Sequence, residues 1–248
     1  MEKHCRKIYS DETSKDSKTS EVCKPGKMGT MRESRDRFFP FIIYLILFHA
    51  FWMGGYVFYI YPWMQSLGDM TLRYALVNIA IRLLVWVLPV FIYLRFIDRV
   101  DPLEYLKLKQ NWKQGIILGL VLSILIFFGS LLRYGVPQPG RSIFTWNSFL
   151  STSALIGFIE EIPYRGFILQ KFEQRAGFWM ANLITSLLFL CIHLPGWISL
   201  HLLTVNNVIS VFIFAVVMAI LFKYGKSLWG PIIAHSLNDF ISVVIFRL

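Results

Sequence analysis

The run IGFIEEIPYRGFIL, residues 156–169, sets Glu160, Glu161 and Arg165 in an otherwise apolar stretch. In a helix Glu161 and Arg165 stand one turn apart and can pair, while Glu160 projects about 100° away. One carboxylate is then neutralised and its neighbour stays available for proton transfer. Two more apolar runs carry groups of the same kind. LLFLCIH ends in His193, and IIAHSLNDF holds His235 with Asn238 and Asp239 three and four residues on, along one side of a helix. Carboxylate and imidazole groups can activate water, and amide or imidazolium donors can stabilise an oxyanion. By type, Glu160, His193, His235 and Asp239 could also ligate zinc. No glycine-rich phosphate loop or H-E-x-x-H helix is present. There is no serine in a G-x-S-x-G elbow.

The elements that must position these residues are membrane helices. Of the 248 residues, 56% are hydrophobic and 16% charged, against about a quarter charged in soluble domains. The apolar residues fall into seven runs near the length that crosses about 30 Å of hydrocarbon: about 38–61, 74–96, 115–133, 148–171, 178–194, 206–223 and 229–246. The fold class expected is an all-α polytopic membrane helix bundle. Residues 1–37 are polar, without apolar periodicity, and read as a disordered cytoplasmic tail before a membrane domain at 38–248. No cleavable signal peptide is expected. The Pro/Gly-rich YGVPQPGRS separates the third and fourth runs, and LPGWISLHLL after the fifth is apolar enough to re-enter the bilayer, so the count carries a margin of one.

The net charge of +10 lies at the edges of the apolar runs rather than along one polar face, which excludes nucleic acid as a partner. Ten Lys/Arg occupy the tail, and Arg95, Arg99, Lys107, Lys109, Lys113, Lys171, Arg175, Lys223 and Lys226 fall in or beside alternate loops. The opposite loops hold Arg73, Arg133 and Arg141, with Arg247 at the end. This bias predicts a cytoplasmic N-terminus. Cys5, Cys23 and Cys191 have neither metal spacing nor a disulfide pattern.

Magnitudes decide how the fourth run sits. Three charges near a span centre cost roughly 8–10 kcal/mol, and ten strong apolar residues between Phe149 and Leu169 return only about 3–6. The charges must therefore face the bundle or a wet cavity. If the fourth and fifth runs form a hairpin turning at Arg175–Gly177, Glu160 and His193 lie at similar depth, about 16–17 residues from the turn. Pro163 is expected to bend the helix beside the glutamates. Taken alone, the triplet fits a buried ion network as well as a catalytic group. The convergence of Glu, His and Asp from three helices favours a single site. Arg82, with Asn78 one turn earlier, reads as a structural interior pair or a snorkelling cation, and His49 and His201 as structural or interfacial.

In order and spacing, EEIPYR, FLCIH and HSLND match E-E-x-x-x-R, F-x-x-x-H and H-x-x-x-[N/D]. Over about 157–240 the chain resembles the CAAX protease and bacteriocin-processing (Abi) family, best known through type II CAAX prenyl endopeptidases. The resemblance implies an intramembrane endopeptidase of glutamate type with its catalytic core at about 148–246. It acts on a membrane-associated peptide or protein substrate, within the lipid bilayer and without a cofactor. Glu160 would be the general base and would activate water with His193. Glu161 and Arg165 would support them, and His235 with residue 239 would stabilise the oxyanion. Position 239 is Asp, however, and an ionised carboxylate only accepts hydrogen bonds. Asp239 is protonated, or it orients a charged His235, or Asn238 supplies the amide. The expected location is integral to a membrane, the bacterial plasma membrane. Two alternatives are a zinc-dependent peptidase using the same residues and a non-catalytic immunity or transport-associated membrane protein.

Overall fold

A computed structural model of the chain describes residues 27–68, 71–137 and 145–246, with side chains from residue 38 onward. The expected tail as far as residue 26, Cys5, Cys23, and residues 138–144 of the Pro/Gly loop lie outside the described residues. The chain divides into two compact units, residues 1–47 and 48–248. The first holds the start of the helix Lys27–Ala50, with the Phe38 and Phe41 rings 5.4 Å apart. The second carries every residue of the candidate site.

Six helices are long and apolar enough to cross a membrane, and no strand occurs among the described residues. They are α1 (Phe38–Gln65), α2 (Leu72–Ile97), α3 (Trp112–Tyr134), the 53-residue run Asn147–Ser199, and the last two, Val205–Gly225 and Trp229–Phe246. Gly177 breaks the long run with φ 75° and ψ 168°, a conformation that glycine adopts without steric cost. Its limbs are α4 (147–176) and α5 (178–191), after which comes the short helix Leu194–Ser199. The last two spans are α6 (Val205–Gly225) and α7 (Trp229–Phe246). The seven expected runs thus correspond to six helices, one of them folded in two where the hairpin turn was expected. The apolar LPGWISLHLL segment forms that short helix and then turns at His201, which has φ 56°.

Small residues bring α7 close to its neighbours, as close packing of membrane helices requires. A Cβ on Gly119 of α3 would stand 2.7 Å from the Gly230 carbonyl oxygen. One on Gly157 of α4 would stand 2.3 Å from the Ile232 carbonyl oxygen and 2.6 Å from Ser236 Oγ. Neither backbone can yield without moving a helix. Gly157→Ala is therefore expected to destabilise the protein by about 1–3 kcal/mol. Thermal unfolding in detergent reads this, with Gly54→Ala as the control, since nothing stands within 4 Å of a Cβ there.

The segment 98–111 between α2 and α3 straps one end of this bundle. Lys171 Nζ lies 2.5 Å from Asp98 Oδ2. Gln170 Nε2 donates to the Tyr105 carbonyl at 2.8 Å, and Trp229 Nε1 to that of Leu108 at 2.8 Å. Leu106 is fully buried, and its Cδ2 would be 2.7 Å from a Cβ on Gly166. Within the strap, the hydrogen bond from Lys109 to Asp101 at 2.8 Å holds that carboxyl below its usual range.

Candidate active site

Helix α4 does not run regularly through the glutamates. Pro163 has no N–H to donate, and from Ile162 to Ile168 the helix widens into a π-helical turn in which the Leu169 N–H reaches the Tyr164 carbonyl. Such turns cluster at functional sites. Glu160 and Glu161 sit just before it and diverge as helical geometry requires. Glu161 is fully enclosed, and its Oε1 accepts from Arg165 Nη1 at 2.9 Å and from His235 Nδ1 at 2.6 Å. Arg165 also donates from Nη2 to the Ala215 carbonyl at 3.0 Å, and its guanidinium lies 4.6 Å from the centre of the Phe189 ring. The expected i, i+4 pair is present, and it also grips α6 and α7.

Glu160 faces a cavity of about 380 Å³ walled by α2, α4, α5, α6 and α7. His193, His235, Asn238 and Asp239 line the same space. His193 Nδ1 lies 2.8 Å from the Phe189 carbonyl. A carbonyl only accepts, so Nδ1 carries the proton and Nε2 is left as the second polar atom of the ring. His235 Nε2 stands 3.9 Å from Glu160 Oε2 and 3.7 Å from Asp239 Oδ2, beyond direct hydrogen bonding to either. Asn238 Nδ2 donates to Asp239 Oδ1 at 2.9 Å.

The structure therefore brings Glu160, His193, His235, Asn238 and Asp239 to one cavity and sets Glu161 and Arg165 behind it. It adds two links that residue spacing does not contain. The first is Arg82, whose Nη1 reaches Glu160 Oε1 at 3.4 Å across the cavity, while Nε bonds Asn78 Oδ1 at 3.2 Å. Its guanidinium lies 5.3 Å from the Trp52 ring centre, and Tyr56 OH donates to the same Asn78 oxygen at 3.1 Å. The Asn78 contact matches the interior pair read from the sequence; the Glu160 contact was missed. Its only signal was a lone arginine inside an apolar run. The second is the bond between Glu161 and His235. His49 is placed by its Nε2, 3.2 Å from Tyr164 OH, away from the residues that line the cavity.

Among the described residues no group of three or more His, Cys, Asp or Glu side chains is arranged to hold a metal ion. Chemically, the cavity offers a carboxylate and an imidazole on facing helices of one hairpin. A second imidazole, held from behind by a buried carboxylate, completes the set. No curated protein and no solved structure matches the chain. Residues 142–241, which supply every member of this cluster except Arg82, match the family described as Rce1-like, type II CAAX prenyl endopeptidase Rce1-like.

Proposed function

We propose that the protein is an intramembrane endopeptidase of glutamate type, acting on a membrane-associated peptide or protein. The observation that carries this reading is the convergence of Glu160, His193, His235 and Asp239 from three helical segments onto one cavity. Glu160 and His193 Nε2 hold a water between them. Glu160 takes a proton from that water as its oxygen attacks the peptide carbonyl carbon, and the carbonyl oxygen becomes the oxyanion. His235 donates to the oxyanion from Nε2. The proton on Glu160 then passes to the leaving amine as the C–N bond breaks, leaving an acid and an amine. No metal is required in this scheme, and cleavage is expected to survive exhaustive chelation. Loss of cleavage that zinc restores would favour the metal-dependent alternative.

Asp239, 3.7 Å from His235 Nε2, fits the role of a through-space charge partner to a protonated His235, whose orientation comes from Glu161 at Nδ1. Three carboxylates, Glu160, Glu161 and Asp239, face two guanidinium groups, Arg82 and Arg165, at or behind the cavity. Burial makes unpaired charge costly, and a proton on His235 balances the count and makes Nε2 a donor. Asn238 directs one amide N–H at Asp239 Oδ1 at 2.9 Å, which holds that carboxylate in place. Asp239→Asn is expected to lower cleavage by about tenfold, or ~1.4 kcal/mol of transition-state stabilisation. Unchanged or higher activity in that variant excludes a required carboxylate at 239.

The direct test compares membrane proteomes of cells carrying the wild type, Glu160→Ala or His193→Ala. Uncleaved precursors accumulate in both variants if the reading holds. If neither variant accumulates any while the protein is present and folded, the chain is a non-catalytic membrane protein.

A further inference from the structure

The cavity lies toward one end of the bundle, and the basic loops lie at the other. We infer that the cavity is entered from the membrane face opposite those loops, and that its substrates are exported, membrane-associated peptide segments rather than cytoplasmic ones. The substrate class rests on the peptidase reading; the sidedness of the cavity does not.

Most lining residues lie in the helix halves nearer one end, with His235 just past the midpoint of α7 on the other side. Arg82 of α2, Thr152 and Glu160 of α4, Ser210 of α6 and Asp239 of α7 fall in the helix halves nearest Leu72, Asn147, Val205 and Phe246. His193 follows α5 on the Ser199 side. Exposure of the lining side chains rises in that direction on α7. It goes from 4% at His235 to 24% at Asp239, one turn further toward Phe246. Across the cavity the Arg82 side chain is 19% exposed. Behind Arg165 the bundle is closed: Phe167, Ile168, Leu106 and Leu228 are fully buried, under the 98–111 strap tied down by Lys171, Gln170 and Trp229.

The closed end is the basic one. Arg99, Lys107 and Lys109 lie in the strap, Lys171 and Arg175 beside Gly177, and Lys223 and Lys226 at the turn from α6 to α7. Among the described residues the open end carries only Arg73 and Arg133. Short loops rich in Lys and Arg remain cytoplasmic, so the mouth of the cavity faces away from the cytoplasm. A peptide reaching Glu160 from the cytoplasm would have to pass the strap and the packed layer beneath it.

Cysteine accessibility tests the sidedness in the full chain, with Cys5, Cys23 and Cys191 replaced by serine. Thr152→Cys and Ser242→Cys mark the cavity mouth, and Lys109→Cys marks the strap, where the side chain is exposed. In intact bacterial cells a membrane-impermeant maleimide should modify the two mouth cysteines and spare Lys109→Cys. In inside-out vesicles the pattern should reverse. Mouth cysteines modified only in inside-out vesicles overturn the inference. So does labelling from neither face when a permeant maleimide still reacts, because the cavity is then entered within the bilayer. Unfolding temperature in detergent confirms that each variant is folded. The cut sites of precursors that accumulate in Glu160→Ala cells test the substrate class: sites in exported segments support it, and sites in cytoplasmic segments overturn it. Labelling as expected with no precursor at all counts against the peptidase reading and leaves the sidedness intact.

Discussion

Glu160→Gln is expected to reduce cleavage by about 10²–10⁴-fold, the usual contribution of a general base, while leaving the fold nearly unperturbed. The amide keeps the shape of the carboxylate, and its oxygen can still accept from Arg82, which reaches Glu160 Oε1 at 3.4 Å. That contact is long and lies on a partly open cavity wall, so its loss removes little stability. The measurements are turnover of an accumulated precursor by purified protein and the unfolding temperature of the same sample. A variant that unfolds at the wild-type temperature yet cleaves at the wild-type rate removes Glu160 from the proton-transfer step. His193→Gln provides the matching check on the facing helix. Its side chain can still reach the Phe189 carbonyl, but without the imidazole it cannot share a water proton with Glu160.

Most of the cluster was legible because a membrane makes polar residues conspicuous. Once insertion energetics forbid lipid contact for Glu160, Glu161 and Arg165, only inward-facing positions remain. The turn at Gly177 then fixes the depth of His193 by counting residues along a hairpin. The i, i+4 relation between Glu161 and Arg165 is local and came directly from spacing. Contacts between helices far apart in sequence were not legible. Arg82 and Glu160 are 78 positions apart, and Glu161 and His235 are 74 apart. Periodicity gives the face of each helix and says nothing of which face it meets. The close approach that joins α4 to α7 depends on Gly157, a residue without a side chain to signal it. Similarly, Pro163 announced a disturbance in α4, but not that it would include a widened turn.

Glu161 is where stability and chemistry meet, and the second large effect is expected there. Glu161→Ala leaves the Arg165 guanidinium 1% exposed, with the Ala215 carbonyl as its one remaining hydrogen-bond partner. An uncompensated buried charge of this kind costs about 3–5 kcal/mol, enough to deplete folded protein. Replacing the pair together is far milder, since an apolar side chain of similar size fills the same space without a charge to satisfy. The double variant Glu161→Ala with Arg165→Met is therefore expected to recover the folded yield that the single variant loses. It is not expected to recover cleavage. His235 Nδ1 has its 2.6 Å acceptor in Glu161, and without it the ring loses both its orientation and the charge that favours an imidazolium aimed at the oxyanion. Unfolding temperature and turnover, measured on the same preparations, separate the two roles. If the double variant regains both, Glu161 serves only to neutralise Arg165, and His235 is held in place by Asp239 and the surrounding aromatic rings.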